Sequence, residues 1–324
     1  MKTDIQNCKL DFDAEELNLI SLAQEYSDND QARKLLESLR WPNGVICPHC
    51  KNDQNGKTIS NLTPKAGSRR AVRKGVYFCG ACRKQFTVTV GTVFEATHIP
   101  INKWLMALFL VSSSKKSMSA HQLHRMLKIS YKSAWFMAHR IRFAFGDTGE
   151  IKLDGVVEVD ETFVGGKGRR CSMSRRKTPV VALIERDGSM KTRVVNSVTM
   201  KNLGRVLHEC VSPEAVVHTD EHPGYRQPLK EWKAHHTVVH SKFEYSRSLP
   251  DGSKAGINTC ESFFSLLKRG VFGAWHSVSR EHLQKYADEF AFRWNTRKIS
   301  DGERMAAAVP MAEGKRLMYR KPHN

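Results

Sequence analysis

No apolar run in this 324-residue chain approaches the ~20 residues that cross a bilayer. The longest candidate, "KWLMALFLVSSS", is too short, and lysines follow its serines. The opening, "MKTDIQNCKLDFDAEE", lacks the apolar h-region of a secretory leader. The expectation is therefore a cytoplasmic chain with no membrane partner. Internal repeats and low-complexity blocks are absent too, so the chain reads as folded domains rather than an array. Acidic residues are scarce: 33 Asp and Glu stand against 52 Lys and Arg, a net charge of +19. That surplus favours a polyanionic partner, and a basic enzyme without such a partner is the plainer alternative. Eight cysteines in a reducing compartment exclude a disulfide framework. Cys8, Cys171, Cys210 and Cys260 are scattered singles, but the other four are not.

Periodicity divides what remains. Residues 1–40 read as an N-terminal helical segment, with Asp30 as the N-cap of "DQARKLLESLRW". Residues 41–98 hold "CPHC" and "CGAC", the second pair flanked by strand-like "VYFC" and "KQFTVTV". Residues 99–148 are helical: "INKWLMALFLVSSS", then "SMSAHQLHRML" capped by Ser117 or Ser119, then "YKSAWFMAHRIRFAF" after a short "KIS" break. From 150 to 297 the pattern becomes α/β. "VVEVDETFVGG", "TPVVALIER" and "MKTRVVNSVT" read as strands, "KNLGRVLHECV" as a helix, "EAVVHTD" as a strand and "REHLQKYADEFAFRWNTR" as a late helix. Residues 298–324 read as a basic, loosely held C-terminal tail.

Cys47, Cys50, Cys79 and Cys82 form CxxC…CxxC, the thiolate set of a structural Zn²⁺. A redox use would need one CxxC at a helix start, and strands surround the second pair. His49 sits inside the first knuckle, but a fourth cysteine already completes the set. The loop beside this site carries Lys65, Arg69, Arg70, Arg73 and Lys74, cations suited to phosphate, although each alone reads equally as solvated surface. The helix pair 118–145 has the outline of a helix-turn-helix. Tyr131, Lys132 and Ser133 open its second helix, where base and phosphate contacts would fall. A plain helical hairpin fits the same pattern.

Three carboxylates stand out. In "VVEVDETF", alternation puts Glu158, Asp160 and Thr162 on one face, with Val157 and Val159 on the other, and aims Glu161 away from Asp160. Asp220 closes the next strand at its C-terminal end, where α/β sheets collect ligands. "NTCESFFSLLKRGVFG" is a helix whose apolar face, Phe264, Leu267 and Val271, adjoins a polar line of Asn258, Glu261, Ser265 and Lys268. Two strands and a helix supplying Asp160, Asp220 and Glu261 could hold two Mg²⁺ about 4 Å apart, with Lys268 on a DNA phosphate.

These three blocks, "VVEVDETFVGG", "HTDEHPGY" and "NTCESFFSLLKRGVFG", resemble those of DDE-type bacterial insertion-sequence transposases. The narrower resemblance is to the group with an N-terminal zinc ribbon, a helix-turn-helix-like segment and a ribonuclease H-like catalytic domain, and it runs from about 28 to 297. Glu261 with Lys268 at +7 matches the family's glutamate-plus-basic signature. The resemblance implies binding of double-stranded DNA at transposon ends, strand cleavage, and transfer into target DNA. It implies Mg²⁺ or Mn²⁺ on Asp160, Asp220 and Glu261, with Lys268 beside them, a homo-oligomer on DNA, and association with the nucleoid. Some relatives carry Asn at the third ligand position, which makes Asn258 an alternative to Glu261. Glu158 reads as a group behind the ligands. Two other functions stay open on sequence alone: a DNA-binding regulator with an inactive catalytic domain, and a nuclease that cuts without joining.

Overall fold

The computed structural model describes residues 14–53, 57–63, 74–147, 149, 151–165 and 177–318. Two short helices come first, α1 (Leu19–Gln24) and α2 (Asn29–Arg40). The α2 cap is Asp28 rather than Asp30. The Asp28 carboxylate accepts the N–H groups of Asp30 and Gln31 at 2.8 and 3.2 Å, and Asp28 has the extended backbone a cap requires. Asp30 already lies in the first turn. Helix α2 buries Ala32, Leu35, Leu36 and Leu39, one stripe at helical spacing. Strands β1 (Ile59–Asn61), β2 (Tyr77–Cys79) and β3 (Gln85–Phe86) then form a small antiparallel sheet.

Three helices follow at the expected positions. Helix α3 (Ile101–Ser113) is buried along most of its length. Helix α4 (Ala120–Leu127) is capped by Ser119 and α5 (Tyr131–Ala144) by Ser130. Lys128 takes the left-handed conformation that ends α4. These elements belong to one compact unit.

The second compact unit spans residues 146–298 together with Lys115–Ser117. Its five-stranded sheet has the spatial order β6-β5-β4-β7-β8. Strands β4 (Val156–Val164), β5 (Thr178–Glu185) and β6 (Met190–Val194) make an antiparallel meander. After helix α6 (Met200–Cys210) the chain returns as β7 (Val216–Thr219), parallel to β4, and then as β8 (Ala234–Thr237), parallel to β7. Hairpin β9–β10 (Ser246–Ser248, Lys254–Gly256) leads into α7 (Asn258–Gly270), a π-helical turn at Val271–Trp275 and α8 (Leu283–Asn295).

Alternation on the central strands builds two cores. Val157, Val159, Val181 and Leu183 pack with Leu203, Val206 and Leu207 of α6 on one face. Val180, Ala182 and Ile184 pack with Phe263, Phe264 and Leu267 of α7 and with α8 on the other. The result is a mixed sheet with helices on both faces, a ribonuclease H-like layout.

The last segment departs from the expected loose tail. Residues 301–308 form α9 (Asp301–Ala308), started by a reciprocal capping box between Ser300 and Glu303. Residues 299–318 join the first unit, where α9 lies against α3. Glu313 pairs with Thr92 in an isolated β-bridge and forms an ion pair with Lys51 at 3.0 Å. Burial of Met305, Ala306 and Ala308 supplies the apolar face that fixes this helix.

Candidate active site and the cysteine cluster

The sheet register sets the carboxylates. Glu158 lies opposite His218 in the parallel β4–β7 ladder. The same spacing brings Asp160 level with Asp220, just past the end of β7 at Thr219. Beyond that end β4 is paired only with β5, so the side of the strand that β7 leaves uncovered opens into a cleft of about 590 Å³. Asp160, Glu161 and Thr162 form one wall, and Glu261, Ser265, Lys268 and Arg269 of α7 form another. Asp220 does not line this cleft, but it lies close enough to raise the carboxyls of both Asp160 and Glu161. Its own carboxylate accepts the His222 N–H at 3.0 Å.

Burial pushes the Asp160 carboxyl up to about 7, and the neighbouring charges of Glu161, Asp220 and Glu261 add to the rise. A set of hard oxygen donors that repel one another in a half-buried cleft suits a hard divalent cation. Among the described residues, the carboxylates do not come within 4.8 Å of one another as a group of three. Asn258 is exposed at the first position of α7 and is not among the lining residues. Lys268 and Arg269 both line the cleft.

Glu161 departs from expectation. The pleat does send it to the other face from Asp160, where the Tyr225 hydroxyl donates to it. Because β7 has already stopped, that face is also open to the cleft. Glu158 is 2% exposed and lies behind the cleft. It accepts from Arg186 Nε at 3.0 Å and from the Thr259 N–H at 2.9 Å, which ties the central strand to the start of α7. His240 reaches the same region: its Nδ1 is 3.7 Å from Glu261 Oε1. No sequence period links Arg186, Tyr225 or His240 to the carboxylates, because each is brought in by tertiary contact.

In the other unit the four thiols meet. Sγ of Cys47 and Cys82, and of Cys50 and Cys79, are 3.7 Å apart, and all four ligand atoms lie within 4.8 Å of one another. A tetrahedron with Zn–S of about 2.3 Å has an edge of ~3.8 Å, so the cluster fits zinc. The two knuckles are alike, since Lys51 and Arg83, each following a second cysteine, share φ of 59°. Neither CxxC starts a helix. His49 is outside the cluster and faces the Phe86 ring. Backbone N–H donation, chiefly from Cys82, pulls the Cys79 thiol down to about 6, while burial pushes the Cys47 thiol up to about 12, so a bound cation is needed to hold all four as thiolates.

The expected DNA contacts are only partly described. Lys65, Arg69, Arg70 and Arg73 lie outside the described residues. Lys74 forms an ion pair with Asp30. Tyr131 is 43% exposed and stacks on His121 at 4.2 Å, Lys132 is exposed, and Ser133 closes the Ser130 cap.

A mixed sheet with acidic strand ends, preceded by a four-thiol ribbon, defines a ribonuclease H-like domain coupled to a zinc ribbon. Residues 152–295 match the ISXO2-like transposase domain and residues 27–85 match the transposase zinc-ribbon domain. Over 284 residues the chain is 29% identical to an uncharacterized protein in transposable element ISH50 of Halobacterium salinarum, covering 81% of this chain and 90% of that protein. The chain belongs to the DDE transposases that carry a zinc ribbon. Its function is that of a transposase.

Proposed function

We propose that the chain binds the ends of its own insertion sequence and carries out divalent-metal-dependent strand cleavage and strand transfer, with Asp160, Asp220 and Glu261 as the metal ligands. The observation that carries this reading is the shared cleft: Asp160 on the sheet and Glu261 on α7 face one cavity that also holds Lys268. Mg²⁺ or Mn²⁺ bound there would supply an activated water or 3′-hydroxyl and stabilise the leaving oxygen of the phosphodiester. The protein's part is to hold the carboxylates fixed around the cleft, to position the DNA phosphate with Lys268, and to exclude bulk water with the sheet and helix walls. Glu261 is preferred to Asn258 as the third ligand because it lines the cleft and brings a negative charge. DNA docking is assigned to the basic loop with Arg69, Arg70, Arg73 and Lys74, and to Tyr131, Lys132 and Ser133. Two or more copies would act together on DNA in the nucleoid, since two transposon ends must be joined to one target.

The test is cleavage and joining of a duplex carrying the element's terminal sequence. Asp160→Asn, Asp220→Asn and Glu261→Gln should each abolish both steps and leave DNA binding intact, because an amide keeps the shape but not the charge. Activity should need Mg²⁺ or Mn²⁺. If Glu261→Gln stays active while Asn258→Ala is dead, Asn258 is the ligand. If all three carboxylate variants cleave normally, the chain acts as a DNA-binding regulator instead. Cleavage without any joined product would make it a nuclease.

A further inference from the structure

The segment between β8 and β9 carries the most exposed large apolar side chain among the described residues: Phe243, 81% exposed. It also stands in the left-handed backbone region, at φ 60°, which is costly for a bulky residue. The turn is held in that shape from several sides. Glu221, next to Asp220, accepts the N–H groups of His240 and Ser241 at 2.7 and 3.0 Å. Glu244 folds back to accept the Val239 N–H at 2.9 Å. The Phe243 N–H donates to the His240 carbonyl at 2.9 Å. His240, three residues earlier, lies 3.7 Å from Glu261. His240, whose N–H is held by the residue after Asp220 and whose ring lies beside Glu261, thus anchors a fixed turn that holds an aromatic ring out in solvent.

We propose that Phe243 is a stacking platform for a nucleobase lifted out of the duplex beside the reacting phosphodiester. The choice of occupant follows from the surroundings. A protein partner needs an interface of roughly 800 Å² per side, and Phe243 and Tyr245 are the large apolar side chains exposed on this segment, with Lys242 and Glu244 on either side of Phe243. An unstacked base needs only one ring face and a nearby cation for its phosphate. Lys242 is exposed on the same segment, Arg247 and Lys254 are exposed on the hairpin that follows it, and Tyr245, 55% exposed, offers a second ring. The inference rests on the cleft being the reacting centre, but its test requires no catalysis.

The test compares the affinity of the full zinc-loaded chain for two labelled duplexes of equal length, without added magnesium. One is fully paired and the other has a single unpaired adenine. The wild type should prefer the unpaired base by about tenfold, the scale of one base–aromatic stack. Phe243→Ala should erase that preference and leave the paired-duplex affinity unchanged, and Phe243→Trp should keep it. Phe243→Gly should also erase it while raising the melting temperature, because glycine relieves the left-handed strain. The inference is overturned if the wild type shows no preference, if Phe243→Ala keeps it, or if that variant weakens both duplexes equally. It is also overturned if Phe243→Ala changes the oligomeric state instead, which would make the turn a contact between copies. Loss of cleavage in the carboxylate variants reads on the metal site alone, so the two proposals fail separately.

Discussion

The carboxylate of Glu158 accepts the backbone N–H of Thr259 at 2.9 Å. Glu158 sits two residues before Asp160 on the central strand, and Thr259 two residues before Glu261 on α7. One partly buried hydrogen bond therefore ties the two cleft walls together. The same carboxylate is paired with Arg186 at 3.0 Å, so its charge is compensated where it is buried.

Removing that carboxylate leaves the Arg186 guanidinium and the Thr259 N–H without it. Glu158→Ala should lower unfolding free energy by about 2–4 kcal/mol. Glu158→Gln keeps an acceptor for Thr259 and should cost about 1 kcal/mol. Urea unfolding of both variants measures this. Both should also cleave DNA more slowly, and Ala more so, because Glu261 loses its anchor. Equal stabilities for Ala and Gln would show that the hydrogen bond to α7 is unimportant.

Much of this arrangement was legible in the sequence. Alternation in "VVEVDETFV" and the 3.6-residue period of α7 put Asp160 and Glu261 on faces that meet. Other features depend on where neighbours stop. Glu161 reaches the cleft only because β7 ends at Thr219, and no pattern within β4 reports the length of its partner. The C-terminal helix was hidden for a similar reason: it is short and lies within a basic tail, and its packing on α3 is what makes sense of its buried face. Asp30 has the right residue type for a cap, but Asp28 takes the place because its backbone is extended where the helix begins. Charge was the most misleading quantity. Arg40, Arg140 and Arg142 count toward +19, yet they are 6%, 4% and 2% exposed and donate to backbone carbonyls.

The ribbon should depend on its metal. With β-strands of only two or three residues, it has little sheet of its own to hold the knuckles together. Cys→Ser at any of Cys47, Cys50, Cys79 or Cys82 should reduce bound zinc and unfold this sheet. Chelation should do the same, while the domain with the five-stranded sheet keeps its circular dichroism signal. Metal analysis that finds no zinc, with four titratable thiols in its place, would remove the assignment.

DNA affinity should fall with salt, but with a slope well below what +19 implies. Counterions are released only by cations that reach phosphate, and the buried arginines do not. Lys132→Ala should reduce the slope by about 1. Replacing Arg69, Arg70 and Arg73 together should flatten it further. Arg140→Met should leave the slope unchanged while destabilising the fold. A titration of binding across salt concentrations reads all three, and an unchanged slope in the triple variant would move the contact to α5.

The last expectation follows from Asp160. Its ordinary carboxyl value is about 3.9, and in the fold it is pushed up to about 7, first by burial and then by Glu161, Asp220 and Glu261. Between those values the folded chain keeps a proton that the unfolded chain has lost. Stability of the metal-free protein must therefore fall as pH rises from ~4 to ~7, and the full cost persists above that. At about 1.36 kcal/mol per unit, the cost reaches up to ~4 kcal/mol. Asp160→Asn removes the charge, so at pH ~8 it should melt higher than wild type without metal, and at pH ~4 the two should coincide. Mg²⁺ should stabilise wild type more than Asp160→Asn, because the variant keeps Glu161, Asp220 and Glu261 but lacks the Asp160 charge for the cation to neutralise. Its apparent affinity should rise with pH through ~7 as the competing proton leaves. Melting curves at both pH values, with and without Mg²⁺, test the chain of reasoning without any DNA present. If Asp160→Asn melts no higher than wild type at the higher pH, the carboxylates are not crowded, and the case for a cation held between them weakens.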